Sequence, residues 1–342
     1  MATCMGSTML RNRALQILTN YAKCSRACNI SRERRLLYTS QEAKANFSDP
    51  EIHTLLKRIT GLNVEKVFRP AKQSLEPPTY KLVSSKKLQE LQEDARKEAE
   101  RRLSMPPVLE EREPIDEVLA EDEGLAGLDT ANMVFTDITY GLSERKRFVV
   151  IREPSGRLRK ARWDERDRIM QVYFPRERRE VEAPPMFADE QLPAIFAKER
   201  HEFLLDAACV QFEPDAEDFI RVHRKAYENL DEMGNYDVLR STRHFGGMAY
   251  FFARQKRIDG LLTDMVQRDL IQDAADLVRV YCLIHPASPV AMEAESLSLE
   301  GVALIKAYIR LDSHHSGKLE LALQSWENAG ESDGAQTRTA VE

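Results

Sequence analysis

The chain has 342 residues, 50 Lys+Arg against 56 Asp+Glu, and 42% apolar content, enough to fill a core and exclude a wholly disordered chain. Its 14 glycines and 15 prolines exclude collagen-like and linker-dominated sequences. The longest clear apolar run, Met248 to Ala253, falls far short of the ~18–20 residues a membrane helix needs.

The net charge of −6 averages two unlike pieces. Residues 1–44 hold eight bases and only two acids, Glu33 and Glu42, so this leader carries +6 and the remainder −12. A basic, Ser- and Thr-containing leader with Leu10, Ala14, Ile17, Leu18 and Tyr21 near one helical face reads as a mitochondrial presequence. The string Arg35-Leu36-Leu37-Tyr38-Thr39-Ser40 suits an Arg-dependent processing site; the alternative is an ordinary basic arm. Beyond the leader only Cys209 and Cys282 remain, both within helical patterns, which fits a reducing compartment.

Residues 45–132 read as an extended region of helix, Pro-rich connector and acidic strip. Ser48 and Glu51 form a capping box, and Ile52, Leu55, Leu56 and Ile59 give a helical stripe that Gly61 stops. After Pro70, Pro77 and Pro78, residues 84–103 form a charged helix with a thin apolar line through Leu88, Leu91, Ala95, Ala99 and Leu103. So narrow a stripe builds no core alone and predicts a helix that lies on a partner surface or projects into solvent. Residues 110–123 carry eight acids against Arg112, without the glycine and alternating oxygen ligands of a calcium loop. This strip is a solvated loop or a docking segment.

Residues 133–163 form the β unit. Met133 to Tyr140 and Arg147 to Arg152 are strand-like, Glu153-Pro154-Ser155-Gly156 has turn chemistry, and Leu158 to Trp163 returns antiparallel. From 164 to 327 the spacing predicts amphipathic helices at about 189–212, 215–232, 236–253, 258–284, 296–311 and 318–327, and 328–342 reads as a disordered tail. The fold class expected is mainly α (α+β): a small antiparallel hairpin sheet followed by a bundle of antiparallel helices, with an extended N-terminal region.

Signatures of chemistry are missing. There is no GxGxxG, GxxxxGK, GxSxG or second His at zincin spacing. The adjacent His314 and His315 do not share one helical face as metal ligands do. Cys209 with His201 and His223 has no activated-thiol context and reads as packing. Gly246-Gly247 reads as a close helix contact. No catalytic residue, metal, cofactor or small-molecule substrate is therefore assigned, and the chain is expected not to be an enzyme. One feature does point to a ligand: residues 144–179 contain thirteen bases and six acids in an otherwise acidic chain. Alternation along the hairpin sets guanidiniums on one side, so Arg145, Lys146, Arg147, Arg157, Arg159, Lys160 and Arg162 are candidate contacts to RNA phosphates. The competing reading pairs them internally with Asp164, Glu165 and Asp167, or with the acidic strip.

Several strings together resemble one family. They include Pro77-Pro78-Thr79-Tyr80-Lys81-Leu82, Met105-Pro106-Pro107-Val108-Leu109-Glu110-Glu111-Arg112 and Val134-Phe135-Thr136-Asp137-Ile138. Gln171-Val172-Tyr173-Phe174-Pro175, Gln211-Phe212-Glu213-Pro214-Asp215, Phe245-Gly246-Gly247-Met248 and Ile258-Asp259-Gly260-Leu261-Leu262 follow. Over residues 48–328 the chain resembles the mitochondrion-specific small-subunit ribosomal proteins conventionally numbered twenty-two. The resemblance implies a structural constituent of the mitochondrial small ribosomal subunit in the matrix, supporting mitochondrial translation. Its partners would be neighbouring small-subunit ribosomal proteins, with local contact to ribosomal RNA. A non-ribosomal helical adaptor or assembly factor is the alternative.

Overall fold

The computed structural model describes residues 46–69, 77 and 79–339. The expected presequence, Pro70, Pro78 and the last three residues lie outside them. The described residues gather into two units, one from residues 46–59 together with 249–339, the other from those between Thr60 and Met248. Among the described residues no helix is long and apolar enough to cross a membrane.

In the first unit, α1 (Pro50–Thr60) buries Ile52, Leu55, Leu56 and Ile59, the stripe read from spacing. The Asn46 backbone N–H donates to the Asp49 carboxylate at 2.8 Å, fixing the entry turn one residue later than the Ser48 box. In the same unit are α9 (Asp259–Gln267), α10 (Ile271–Ile284), α11 (Pro289–Leu297), α12 (Gly301–Leu311) and α13 (Ser316–Thr339). α10 packs on α12, and α9 on α13. Leu277, Val278, Tyr281, Leu304 and Tyr308 are buried there. The Asp259 carboxylate, also buried, accepts from the Tyr308 hydroxyl at 2.6 Å and from the backbone N–H groups of His314 and His315 at 2.8 and 2.9 Å. The His pair thus marks a turn anchored to Asp259.

The second unit begins with α2 (Val64–Val67) and α3 (Ser85–Arg102), capped by the Ser84 side chain. Four strands follow: β1 (Val118–Glu121), β2 (Met133–Thr136), β3 (Val149–Arg152) and β4 (Arg157–Lys160). All pairings are antiparallel, in the order β1-β4-β3-β2. The hairpin is present where the sequence puts it, and a strand from the acidic strip widens it. On one sheet face Val149 and Ile151 pack with Ala161 and Met170 of α4 (Trp163–Tyr173), sealed by Ile169 and Phe174. Then come α5 (Leu192–Phe196), α6 (His201–Gln211) and α7 (Glu217–Met233), and α8 (Phe245–Arg254) crosses the division between units.

Three continuous helical stretches of the sequence are broken in the structure. The segment 189–212 divides into α5 and α6 near Glu199, and 258–284 divides into α9 and α10 at Asp269. The segment 236–253 opens with a short 3-10 turn and becomes α8 only after Ser241. Glu199, Asp269 and Ser241 have φ of 52°, 62° and 57°, and a single left-handed residue ends a helix without glycine's signal.

Candidate nucleic-acid and partner interface

Opposite residues of an antiparallel pair share a face. The register sets Arg159 against Ile151, so Arg159 and Arg157 share a side, as the alternation implies. That side is the one α4 covers. Arg159 is consequently buried, its Nε donating to Glu153 at 2.7 Å and both terminal nitrogens to Glu165 at 2.8 Å. These bonds hold the Glu165 carboxyl below its ordinary pKa, the Arg159 contact being the largest cause. Arg147 is buried as well: its guanidinium donates to the carbonyls of Asp137, Thr139 and Leu142 and lies 3.9 Å from the Phe174 ring centre. It closes the loop between β2 and β3.

The other five candidates keep access to solvent. Arg157 pairs with Glu121 at 3.4 Å and Lys160 with Glu117 at 2.5 Å, both partners being acids of the strip that carries β1. Arg145 reaches Asp215 at 3.1 Å and Glu213 at 3.5 Å. Burial opposes ionisation of Glu213, but the Arg176 and Arg179 guanidiniums hold its carboxyl below the ordinary value. Lys146 and Arg162 are exposed, and no ion pair among the described residues uses either side chain. The internal-pairing reading therefore accounts for Arg159 and for the strand-strip contacts, while Lys146 and Arg162 stay open to a ligand.

The opposite sheet face is partly open to solvent. Val150 faces Phe135 and Lys160, and Arg152 faces Met133 and Leu158. Phe135 and Phe148 are about half exposed, at 47% and 53%, with the Lys160 ammonium 5.9 Å from the Phe148 ring centre. A second apolar surface lies at the start of α3. Ala99, near its end, is buried, and Arg102 sits 4.6 Å above the Phe68 ring. Leu88 and Leu91 remain 47% exposed, and Tyr80 and Leu82 stand in solvent just before the helix. The thin stripe is thus half used.

Of the residues weighed for chemistry, His201 goes elsewhere: its Nε2 meets Asn229 Oδ1 at 2.9 Å and its ring stacks on Phe196. Cys209 instead meets His223 and His244, the last of which sequence spacing does not bring to attention. Burial pushes the Cys209 thiol up to about 11 and holds His223 down to about 3, with His244 also lowered by burial. A Cβ on Gly247 would come 3.1 Å from the Tyr227 hydroxyl, so this glycine serves close packing.

Comparison with known proteins bears on most of the chain. A family model described as mitochondrial 28S ribosomal protein S22 matches residues 45–286. The small ribosomal subunit protein mS22 of Mus musculus is 48% identical over 304 residues, covering 87% of this chain and 85% of that protein. That of Bos taurus is 49% identical over 286 residues, covering 84% and 80%.

Proposed function

The chain belongs to the mitochondrial 28S ribosomal protein S22 family, and from that premise we propose how it performs a structural role. It is a constituent of the mitochondrial small ribosomal subunit, resides in the mitochondrion, supports translation there, and is not an enzyme. The observation that carries the mechanism is the sheet face on which Phe135 and Phe148 are about half exposed. Two half-exposed aromatic rings and the partly exposed Met133 on one sheet face leave apolar area for an interface to remove. The segment from Tyr80 to Leu91 supplies a second docking element of the same kind. Neighbouring ribosomal proteins are the occupants of both.

Contact with ribosomal RNA is the finer part of the proposal. Lys146 and Arg162 are the exposed cations of the basic hairpin that form no ion pair among the described residues, and Arg157 and Lys160 join them. Exposed ion pairs are worth about 0–1 kcal/mol, so an RNA phosphate can displace Glu121 or Glu117 at little cost. Arg147 and Arg159 act from beneath by holding the sheet. Such binding reads backbone charge rather than base identity and weakens with salt.

The test is sedimentation of a mitochondrial lysate carrying either the parent chain or Phe135→Asp/Phe148→Asp. The parent peaks with the small subunit, and the variant, folded by circular dichroism, shifts to light fractions. A folded variant that still sediments with the subunit overturns the docking face.

A further inference from the structure

Cys209 on α6, His223 on α7 and His244 at the threshold of α8 meet in the second unit from three separate elements. One ligand-capable atom of each, the Cys209 Sγ and a ring nitrogen of either histidine, lies within 4.8 Å of the other two. The remaining ring nitrogens are already committed. His223 Nδ1 lies 2.9 Å from the Phe219 carbonyl oxygen, and His244 Nε2 lies 2.9 Å from Asp206 Oδ1. Both oxygens accept, so in each neutral ring the proton sits on that nitrogen and the other carries a lone pair.

Those lone pairs are the anomaly. His223 Nε2 and His244 Nδ1 are buried without a hydrogen-bond partner, although the thiol is close by. Leaving two buried acceptors unmet is costly, and native structures avoid it unless something fills the gap. The outer bonds have a recognised use. A metal-bound imidazole nearly always donates its second N–H to a carboxylate or a backbone carbonyl, which fixes ring orientation and raises basicity. Here one histidine has the carbonyl and the other the carboxylate.

We propose that Cys209 Sγ, His223 Nε2 and His244 Nδ1 form a site for a divalent transition metal, and that the donor set selects zinc. One thiolate and two imidazoles suit a borderline-soft ion and not magnesium or calcium, which take oxygen ligands. Tetrahedral zinc with Zn–S near 2.3 Å and Zn–N near 2.0 Å sets its donors about 3.5 Å apart, so the cluster closes by small side-chain rotations. On binding, a zinc–sulfur bond replaces the S–H bond of Cys209, and the thiol proton leaves to solvent. Cys209 is only partly buried, which gives the ion an entry path and the fourth position a solvent ligand. Arg243 beside the cluster has its charge met by Asp206 at 2.7 Å. The site would tie α6, α7 and the start of α8 together, a structural clasp rather than a catalytic centre.

The experiment uses the full chain purified from zinc-supplemented cells. About one zinc per chain is expected, and replacement by cobalt(II) should give the near-ultraviolet charge-transfer band of a thiolate–cobalt bond. The band should vanish in Cys209→Ser and persist in Cys282→Ser. His244→Cys, which keeps a zinc ligand in place, should retain it. A folded parent chain without the band, or an undiminished band in folded Cys209→Ser, overturns the proposal. Should Cys209→Ser fail to fold, X-ray absorption at the zinc edge of the parent decides instead. One sulfur in the first shell supports the site, and a shell of nitrogen and oxygen alone overturns it. Neither readout depends on the ribosome.

Discussion

Arg159 and Glu165 meet fork to fork, each terminal guanidinium nitrogen donating to one carboxylate oxygen at 2.8 Å. The pair joins β4 to the first turn of α4, where Glu165 also accepts from the Arg162 backbone N–H at 2.9 Å. One carboxylate thereby caps a helix and neutralises a buried cation. Arg159→Ala is expected to cost about 3 kcal/mol, because it strips a partner from a largely desolvated pair. Arg159→Lys should recover only part of this, since an ammonium cannot bond both oxygens in a plane. Urea denaturation of the two variants checks the order. The pH dependence has a definite sign: Glu165 is lowered in the fold, so its stabilisation is present above the unfolded carboxyl value near 4.3 and lost as pH falls. Glu165→Gln should flatten that part of the acid limb.

Gly156 gives a sharper steric prediction. It turns the β3–β4 hairpin with φ of +84°, and a Cβ there would stand 2.1 Å from the Asp122 carbonyl oxygen. That oxygen belongs to the segment following β1, whose Asp122 N–H donates back to the Gly156 carbonyl at 3.2 Å. Gly156→Ala meets both an unfavourable φ and a backbone atom, and should destabilise by well over ~1 kcal/mol. If thermal melting shows the alanine variant within error of the parent, β1 does not close on this turn.

How much of this was legible in the sequence depends on whether a feature is local. The stripe of α1 was legible, because 3.6-residue periodicity writes burial directly into the order of Ile52, Leu55, Leu56 and Ile59. The hairpin was legible through Pro154 and Gly156. Alternation correctly put Arg157 and Arg159 on one side, but which side α4 covers is a tertiary fact, and that fact turned Arg159 from a candidate contact into a buried strut. The strand Val118–Glu121 was hidden by acids that only its basic neighbour explains. The Cys209, His223 and His244 cluster has no short spacing to read, since three elements supply one ligand each.

Tyr308 and Asp259 provide a test within the first unit. The tyrosine hydroxyl is one of three donors to a carboxylate only 5% exposed. Tyr308→Phe keeps the ring against Tyr281, whose centre lies 5.3 Å away, and removes the donor alone. The loss should be about 1–3 kcal/mol, the cost of leaving one buried acceptor unmet. Chemical denaturation monitored by tyrosine and tryptophan fluorescence measures it, and a neutral substitution would mean that solvent reaches Asp259.

The basic hairpin yields a prediction that separates surface charge from buried charge. Lys146 and Arg162 are exposed and unpaired among the described residues, so Lys146→Ala/Arg162→Ala should leave stability within about 0.5 kcal/mol per site. If they meet ribosomal phosphates, the double variant should wash from small subunits at lower salt than the parent, since fewer condensed counterions are released on binding. Arg147→Ala should behave in the opposite way. Its guanidinium satisfies three backbone carbonyls and lies against Phe174, so its removal should lower the melting temperature of the isolated chain before any ribosome is involved. Salt elution of assembled subunits and melting of the free protein together form the measurement. If the double variant elutes like the parent and crosslinks to RNA map away from residues 144–163, the hairpin's free cations serve protein neighbours instead.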